Sequence, residues 1–93
     1  MLKVNEYFDG RVKSLGFKTA EGPATVGVMA VGEYAFGTST VEVMRIISGV
    51  LQVMLPGETA WKSYKPGESF TVAANVTFKV KANEETAYLC LYQ

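Results

Sequence analysis

Turn-forming residues divide the sequence into segments that are too short for long helices. The turn signals are Glu21-Gly22-Pro23, Gly32-Glu33, Ser48-Gly49, Pro56-Gly57, Pro66-Gly67 and Asn83-Glu84-Glu85. The segments between them are rich in Val, Ile, Tyr, Phe and Thr, which favour strands. Short strands with a turn roughly every eight to twelve residues are typical of β-sandwiches and β-barrels. We therefore predict an all-β fold.

Several of these segments alternate apolar and polar residues, as a half-buried strand requires. Residues 76–81 alternate strictly, and residues 51–55 alternate in the same way. Residues 44–51 are apolar nearly throughout, but β-branched side chains and the interrupting Gly49 predict two strands around a turn. The length of the chain is that of one small domain. We predict a single domain over residues 1–93.

The sequence contains no histidine, which excludes several kinds of active site at once. A Ser-His-Asp triad, a Cys-His pair and a histidine-ligated zinc ion are all impossible. The single cysteine, Cys90, cannot form an internal disulfide, and its alternation with Tyr88 and Tyr92 predicts a small, inert packing residue. Any chemistry must therefore use carboxylates, cationic side chains, hydroxyls and backbone amides.

Charge and hydropathy exclude two further classes of partner. Nine basic residues balance nine acidic ones, and no basic run appears that could displace counterions from nucleic-acid phosphates. The start of the chain has no apolar signal core, and no apolar run approaches the length of a membrane span. We expect a cytoplasmic protein without a nucleic-acid or membrane partner.

The middle of the chain carries a characteristic spacing. Six residues separate Glu42 from Gly49, and the Pro-Gly-containing segment 64–70 and the segment 72–78 follow. This layout resembles the two motifs of the cupin superfamily, which fold as a small double-stranded β-barrel of jelly-roll type. Ala73 departs from the pattern, since proline is usual at its position. The resemblance implies a cupin-like jelly roll.

The same resemblance bears on metal binding. Metal-binding cupins use three histidines and one glutamate, and their positions fall here on Phe36, Thr38, Glu42 and Phe78. Of these four positions, only Glu42 keeps the metal ligand found in metal-binding cupins. Divalent ions require several hard or nitrogen ligands. The resemblance therefore implies a site that works without a metal or other cofactor.

A more specific resemblance covers the whole chain. The short segments that carry it are Asn5-Glu6-Tyr7-Phe8, Val12-Lys13-Ser14, Val26-Gly27-Val28-Met29, Gly32-Glu33-Tyr34, Ile47-Ser48-Gly49 and Tyr88-Leu89-Cys90. Together they resemble the broad-specificity pyrimidine/purine nucleoside phosphorylases, a family of very small cupins. The resemblance implies a pentosyl-transferring glycosyltransferase. Its co-substrate would be inorganic phosphate, and it would convert purine and pyrimidine nucleosides to free base and ribose 1-phosphate.

The residues available fit that chemistry, since glycosidic cleavage builds positive charge on the sugar. Glu42 is the candidate catalytic residue, inside the barrel near the ribose; the alternative is a strand-end glutamate paired at the surface with Arg45 or another cation. Lys13 and Arg11 lie two residues apart, hence on one face of a predicted strand, and are candidates for binding phosphate. The alternative for both is a solvated strand face.

Three further residues are candidates for binding the nucleoside. Phe36 and Phe78 would face inward in a cupin barrel and could stack a base, although plain core packing is the commoner fate of a buried phenylalanine. Thr38 could donate a hydroxyl hydrogen bond.

The sequence does not exclude two alternative functions. The first is a metal-free cupin that binds a small sugar or metabolite without catalysis, and the second is a structural β-module without a ligand. For the phosphorylase we expect a homodimer, because the exposed strands of so small a domain gain from pairing and because the family resemblance implies it.

Overall fold

A computed structural model describes residues 2–93, which form ten β-strands and no α-helix. No helix within these residues has the length and apolarity to span a membrane. The strands are β1 (Lys3–Tyr7), β2 (Val12–Thr19), β3 (Gly22–Met29), β4 (Gly32–Gly37), β5 (Glu42–Ser48), β6 (Leu51–Met54), β7 (Lys62–Tyr64), β8 (Ser69–Val72), β9 (Thr77–Ala82) and β10 (Thr86–Tyr92).

The strands form two antiparallel sheets that face each other. The larger sheet has the order β1-β2-β3-β10-β5-β8, and the smaller has the order β4-β9-β6-β7. The chain crosses repeatedly from one sheet to the other, so that neighbouring strands are often distant in sequence. This two-sheet arrangement of antiparallel strands confirms the predicted all-β jelly roll.

The core lies between the inner faces of the two sheets. In β9, Phe78, Val80 and Ala82 point inward and are buried, whereas Thr77 and Lys79 are exposed. The same alternation places Val12, Met29, Met44, Ile46, Leu51, Val53, Phe70 and Val72 in one continuous cluster. Apolar burial at one face of each sheet therefore sets the register.

Most of the strands expected from the sequence are present. The alternating segment 76–81 corresponds to β9, and the segment 51–55 corresponds to β6. Residues 44–51 do form parts of two strands, β5 and β6, with Gly49 in the turn between them. Arg11 differs from expectation: it lies in the β1–β2 turn, one residue before β2 begins, and so does not share a strand face with Lys13.

Gly49 is required where it stands. Its φ of +86° is a left-handed conformation, and a Cβ there would lie 2.6 Å from Thr86 Oγ1 and 2.8 Å from the carbonyl oxygen of Glu85. Gly57 has nearly the same φ, +83°, with no atom near its Cβ position. The two glycines thus share the backbone conformation but not the steric constraint.

This pair allows a stability prediction. Gly57→Ala should lower the free energy of unfolding by about 1–2 kcal/mol, the cost of a left-handed non-glycine residue. Gly49→Ala should lower it by a further 1–3 kcal/mol or so, because the added methyl group must push against backbone atoms. Urea unfolding midpoints measure both losses. Equal losses in the two variants would show that the turn around Gly49 yields to the methyl group.

Candidate active site

A cavity of about 380 Å³ opens between the two sheets. The smaller sheet contributes Phe36 and Phe78 to its wall, and the larger sheet contributes inward-facing residues of β2, β3, β5 and β10. Phe8, in the β1–β2 turn, also lines it. A volume in this range is typical of small-molecule sites.

Glu42 is the only charged residue in the cavity wall among residues 2–93. It is the first residue of β5 and lies opposite Tyr92 of β10, half-buried. Burial raises the pKa of its carboxyl group above the usual value, and a hydrogen bond from Cys90 partly offsets that increase. Arg45 lies three positions further along β5, exposed on the opposite face of the sheet. The structure therefore places Glu42 in the cavity and away from Arg45.

The Cys90 thiol lies against this carboxylate. Cys90 is 2% exposed, and its Sγ donates a hydrogen bond to Glu42 Oε1 over 3.4 Å. Burial, with a contribution from the charge of Glu42, raises the pKa of the thiol to about 12. The group is thus a protonated donor at neutral pH. The sequence predicted only an inert packing residue here, and the structure adds a polar contact to the candidate catalytic group.

The hydroxyl of Tyr88 is the centre of a second polar group in the cavity wall, which also includes Ser14. In the strand register Tyr88 lies opposite Gly27, Gly27 opposite Ser14, and Ser14 opposite Asn5. A Cβ at Gly27 would lie 2.7 Å from the Tyr88 hydroxyl, so the glycine leaves room for the phenol to cross its strand towards Ser14. Asn5 Nδ2 donates to Ser14 Oγ over 3.3 Å. Burial raises the pKa of Tyr88 to about 12, which keeps its hydroxyl a donor.

Aromatic rings form the apolar part of the wall. The rings of Phe36 and Phe78 lie 6.0 Å apart, and Phe8 meets Phe36 edge-on at 5.5 Å. Phe78 is 2% exposed and mainly packs in the core, whereas Phe36 is only partly buried and offers more of its face. Phe8 has a left-handed φ of 54°, a strained conformation that tends to occur at functional sites.

The two predicted phosphate-binding residues lie outside the cavity. Lys13 is on the outer face of the larger sheet, 3.9 Å from Glu6. Arg11 Nε donates to the carbonyl oxygen of Phe8 over 3.3 Å, and its guanidinium lies 5.6 Å from the centre of the Tyr34 ring. Since Phe8 lines the cavity, Arg11 stands beside its wall, whereas Lys13 points away from it.

Thr38 has a different position from the one expected. It follows the last residue of β4, and its hydroxyl donates to the carbonyl oxygen of Ala73 over 2.7 Å and accepts from the amide of Val76 over 3.1 Å. These bonds join the β4–β5 and β8–β9 connections. Thr38 does not line the cavity, but the neighbouring Ser39 does.

The described residues contain no group of three or more potential Cys, Asp or Glu metal ligands.

The contact between Cys90 and Glu42 predicts a measurable pKa change. Cys90→Ala removes the donor, so the pKa of Glu42 should rise further, whereas Cys90→Ser keeps a donor and should leave it at or below the parent value. Titration of the glutamate carboxyl ¹³C signals by NMR, with Glu42→Gln to assign the resonance, measures both shifts. The same Glu42 pKa in the parent, the Ala variant and the Ser variant would contradict the contact.

Comparison with known proteins gives one consistent family. The family model described as pyrimidine/purine nucleoside phosphorylase matches residues 2–92. A protein of that name from Shewanella halifaxensis is 59% identical over 92 residues, which cover 99% of each chain.

Solved structures agree on the fold. A protein of unknown function from Vibrio parahaemolyticus has a TM-score of 0.96 at 46% identity, covering 100% of this chain and 99% of its own. An RmlC-like cupin from Shewanella frigidimarina has a TM-score of 0.72 at 18% identity, covering 96% of this chain and 80% of its own. The predicted cupin-like fold is confirmed.

Proposed function

Because this chain belongs to the pyrimidine/purine nucleoside phosphorylase family, we propose that it splits purine and pyrimidine nucleosides with inorganic phosphate. The products are the free base and α-D-ribose 1-phosphate. In this reaction a phosphate oxygen forms the new bond to C1′ while the bond from C1′ to the base nitrogen breaks. The electron pair leaves with the base, which then takes up a proton.

The observation that carries the proposal is the carboxylate of Glu42, the one acidic group among residues 2–93 that lines this partly aromatic cavity. Positive charge develops on the ribose as the glycosidic bond lengthens. An ionised Glu42 stabilises that charge most in the transition state, and partial burial of the carboxylate strengthens the attraction. Partial burial disfavours the ionised carboxylate, and an adjacent positive charge relieves this cost.

The rest of the wall suits a nucleoside. Phe36 offers a partly open ring for stacking the base, and Phe8 and Phe78 close the slot around it. Ser14 and Tyr88 provide neutral hydroxyls that can bond to sugar or base oxygens. The part of the wall assigned to the base consists of aromatic rings, so we expect weak discrimination among bases.

The phosphate dianion requires a cation or free amides, and no Lys or Arg lines the cavity among residues 2–93. Arg11 is held against Phe8 and Tyr34, beside the cavity wall. We propose that a change in its side-chain rotamer turns the guanidinium towards the cavity. We assign the phosphate to this end of the cavity, where Arg11 can offer a bidentate contact.

The proposal includes catalysis without a metal. The positions that hold metal ligands in other cupins carry Phe36, Phe78 and Thr38, and the Thr38 hydroxyl is already engaged by backbone groups. Exhaustive chelation should therefore leave the turnover number unchanged. A stoichiometric transition metal in the purified protein, together with loss of turnover on its removal, would contradict this expectation.

The test is release of base by purified protein from adenosine, guanosine, uridine and cytidine, with and without phosphate. We expect release from all four that depends on phosphate, with catalytic efficiencies within about four powers of ten of one another. Saturable binding of nucleosides without any product would instead identify a metal-free binding cupin. Release that does not depend on phosphate would identify a hydrolase.

A further inference from the structure

One side of β4 is a free sheet edge that lies at the cavity. β4 is the last strand of the smaller sheet, and no strand among residues 2–93 pairs with its other side. Ala35, Phe36 and Gly37 of this strand all line the cavity. Ala35 and Gly37 are the exposed, outward positions of the strand, and Gly37 has no side chain. The main chain of Gly37 is therefore part of the cavity wall.

The strand register decides which backbone groups this edge offers. Thr38, directly after β4, donates its amide hydrogen to the carbonyl oxygen of Val76 over 2.8 Å, on the side of β9. In an antiparallel pair, residues that exchange backbone hydrogen bonds alternate with residues that do not. Gly37, opposite Thr77, therefore turns both its N–H and its C=O away from β9. One residue thus offers the cavity a hydrogen-bond donor and a neighbouring acceptor.

Gly37 is a glycine that the fold itself does not require. It is not one of the glycines with a positive φ. Apart from its chain neighbours, the nearest atom to a Cβ at this position is the carbonyl oxygen of Val76, at 4.0 Å, which is an ordinary contact. Gly49 differs in both respects. A glycine inside a strand often marks a place where a ligand approaches the backbone closely.

A neighbouring donor and acceptor match the chemistry of a nucleobase. Uracil and guanine offer a ring N–H beside a carbonyl oxygen, and cytosine and adenine offer a ring nitrogen beside an amino group. The phosphate dianion has only acceptors, so the Gly37 carbonyl oxygen would repel it. Proteins that take up a single base commonly stack it on aromatic rings and bind its hydrogen-bonding edge. The partly buried ring of Phe36, one residue away, is such a stacking surface.

We propose that the N–H and C=O of Gly37 bind the hydrogen-bonding edge of the nucleobase while the base stacks on Phe36, an inference that rests on the proposed function. The acceptor of the base meets the N–H, and its donor meets the C=O. Each of the four bases has such a pair, so this contact adds affinity without excluding a base. It adds a backbone contact to the aromatic rings already assigned to the base, and it leaves Glu42 for the sugar.

The test is a titration of isotope-labelled parent protein with uridine, without phosphate, followed by NMR of the backbone amides and carbonyl carbons. The amide proton of Gly37 should move downfield, and its carbonyl ¹³C signal should shift with the same dissociation constant. Shifts at other cavity residues with both Gly37 signals unchanged would overturn the proposal and leave the proposed function intact. Absence of any shift would contradict both, because the protein would not bind the nucleoside.

Gly37→Pro removes the N–H, and proline is tolerated on an edge strand where the N–H faces away from the ladder. The dissociation constant for uridine should rise by at least about tenfold, because the base loses one hydrogen bond. Glu33→Pro is the matched control, since Glu33 has the same alternation on this edge but lies outside the cavity wall. It should bind uridine like the parent. Parental affinity in a folded Gly37→Pro protein would overturn the proposal.

A comparison of two ligands tests the C=O of Gly37 without any variant. The riboside of pyrimidin-2-one is cytidine without its amino group, so it fits the same space but has no donor for this carbonyl. It should bind the parent at least about tenfold more weakly than cytidine. Equal affinity of the two ligands would show that the carbonyl does not contact the base, and it would overturn the proposal even if Gly37→Pro failed to fold.

Discussion

Glu42→Gln should lower the turnover number by about a hundredfold to a thousandfold, with a much smaller rise in the Michaelis constant for the nucleoside. Glutamine keeps the shape of the side chain but cannot offer a negative charge to the developing positive charge on the sugar. Because that charge is largest in the transition state, the loss falls on kcat more than on binding. Steady-state kinetics with uridine and saturating phosphate measure the effect.

The pH dependence of kcat/KM should point to the same residue. The ionised form of Glu42 is the active one, and burial raises the pKa of its carboxyl group. As the pH is lowered, activity should therefore begin to fall at a higher pH than that at which an ordinary glutamate becomes protonated.

The raised pKa of Glu42 also affects stability. A residue whose pKa is higher in the folded than in the unfolded state favours folding most when it is protonated, and this contribution is lost as the pH rises through its folded pKa. Glu42→Gln should therefore be at least as stable as the parent at neutral pH.

Arg45→Gln is the control for Glu42→Gln, since Arg45 is exposed on the other face of the same strand. Its turnover should match that of the parent. If a folded Glu42→Gln protein turned over at the parental rate, the carboxylate would have no part in the reaction.

Arg11→Gln should raise the Michaelis constant for phosphate by about tenfold to a hundredfold, which corresponds to the loss of about 1.5–3 kcal/mol from a charged hydrogen bond. The cavity wall supplies no cation among the described residues, and Arg11 is held against Phe8, which lines that wall. The Michaelis constant for the nucleoside should change little, because the base and sugar contact other groups. Initial rates at varied phosphate concentration measure the difference.

Lys13→Gln serves as the matched control, because Lys13 lies on the outer face of the larger sheet beside Glu6. Its phosphate dependence should equal that of the parent. The reverse result, with phosphate binding lost in Lys13→Gln and retained in Arg11→Gln, would place the phosphate on the outer face and contradict the site described above.

The sequence predicted the fold well where the signal was local. Alternation identified β9 and β6, and Gly49 identified the turn between β5 and β6. The β1–β2 connection was missed, although Asp9-Gly10 is a turn-forming pair; only the left-handed conformation of Phe8 is one that its residue type does not indicate. Because this turn was overlooked, Arg11 was placed on a strand face.

The site was predicted only in part, because one of its contacts joins residues that are far apart along the chain. The spacing from Glu42 to Gly49 is visible along the chain, and the structure places Glu42 in the cavity. The contact of Cys90 with Glu42 spans 48 positions and depends on the pairing of β10 with β5. Such cross-strand neighbours are set by register, which one sequence does not reveal. Alternation in β10 did indicate that Cys90 shares a face with Tyr88 and Tyr92.

The most direct test of the account is to follow inorganic phosphate into sugar phosphate by ³¹P NMR, with the parent protein and Glu42→Gln purified in parallel. With uridine present, the parent should convert the phosphate signal into that of ribose 1-phosphate as uracil appears in equal amount, and Glu42→Gln should form almost none in the same time. Absence of ribose 1-phosphate with the parent, or equal formation with both proteins, would contradict phosphorolysis in this cavity.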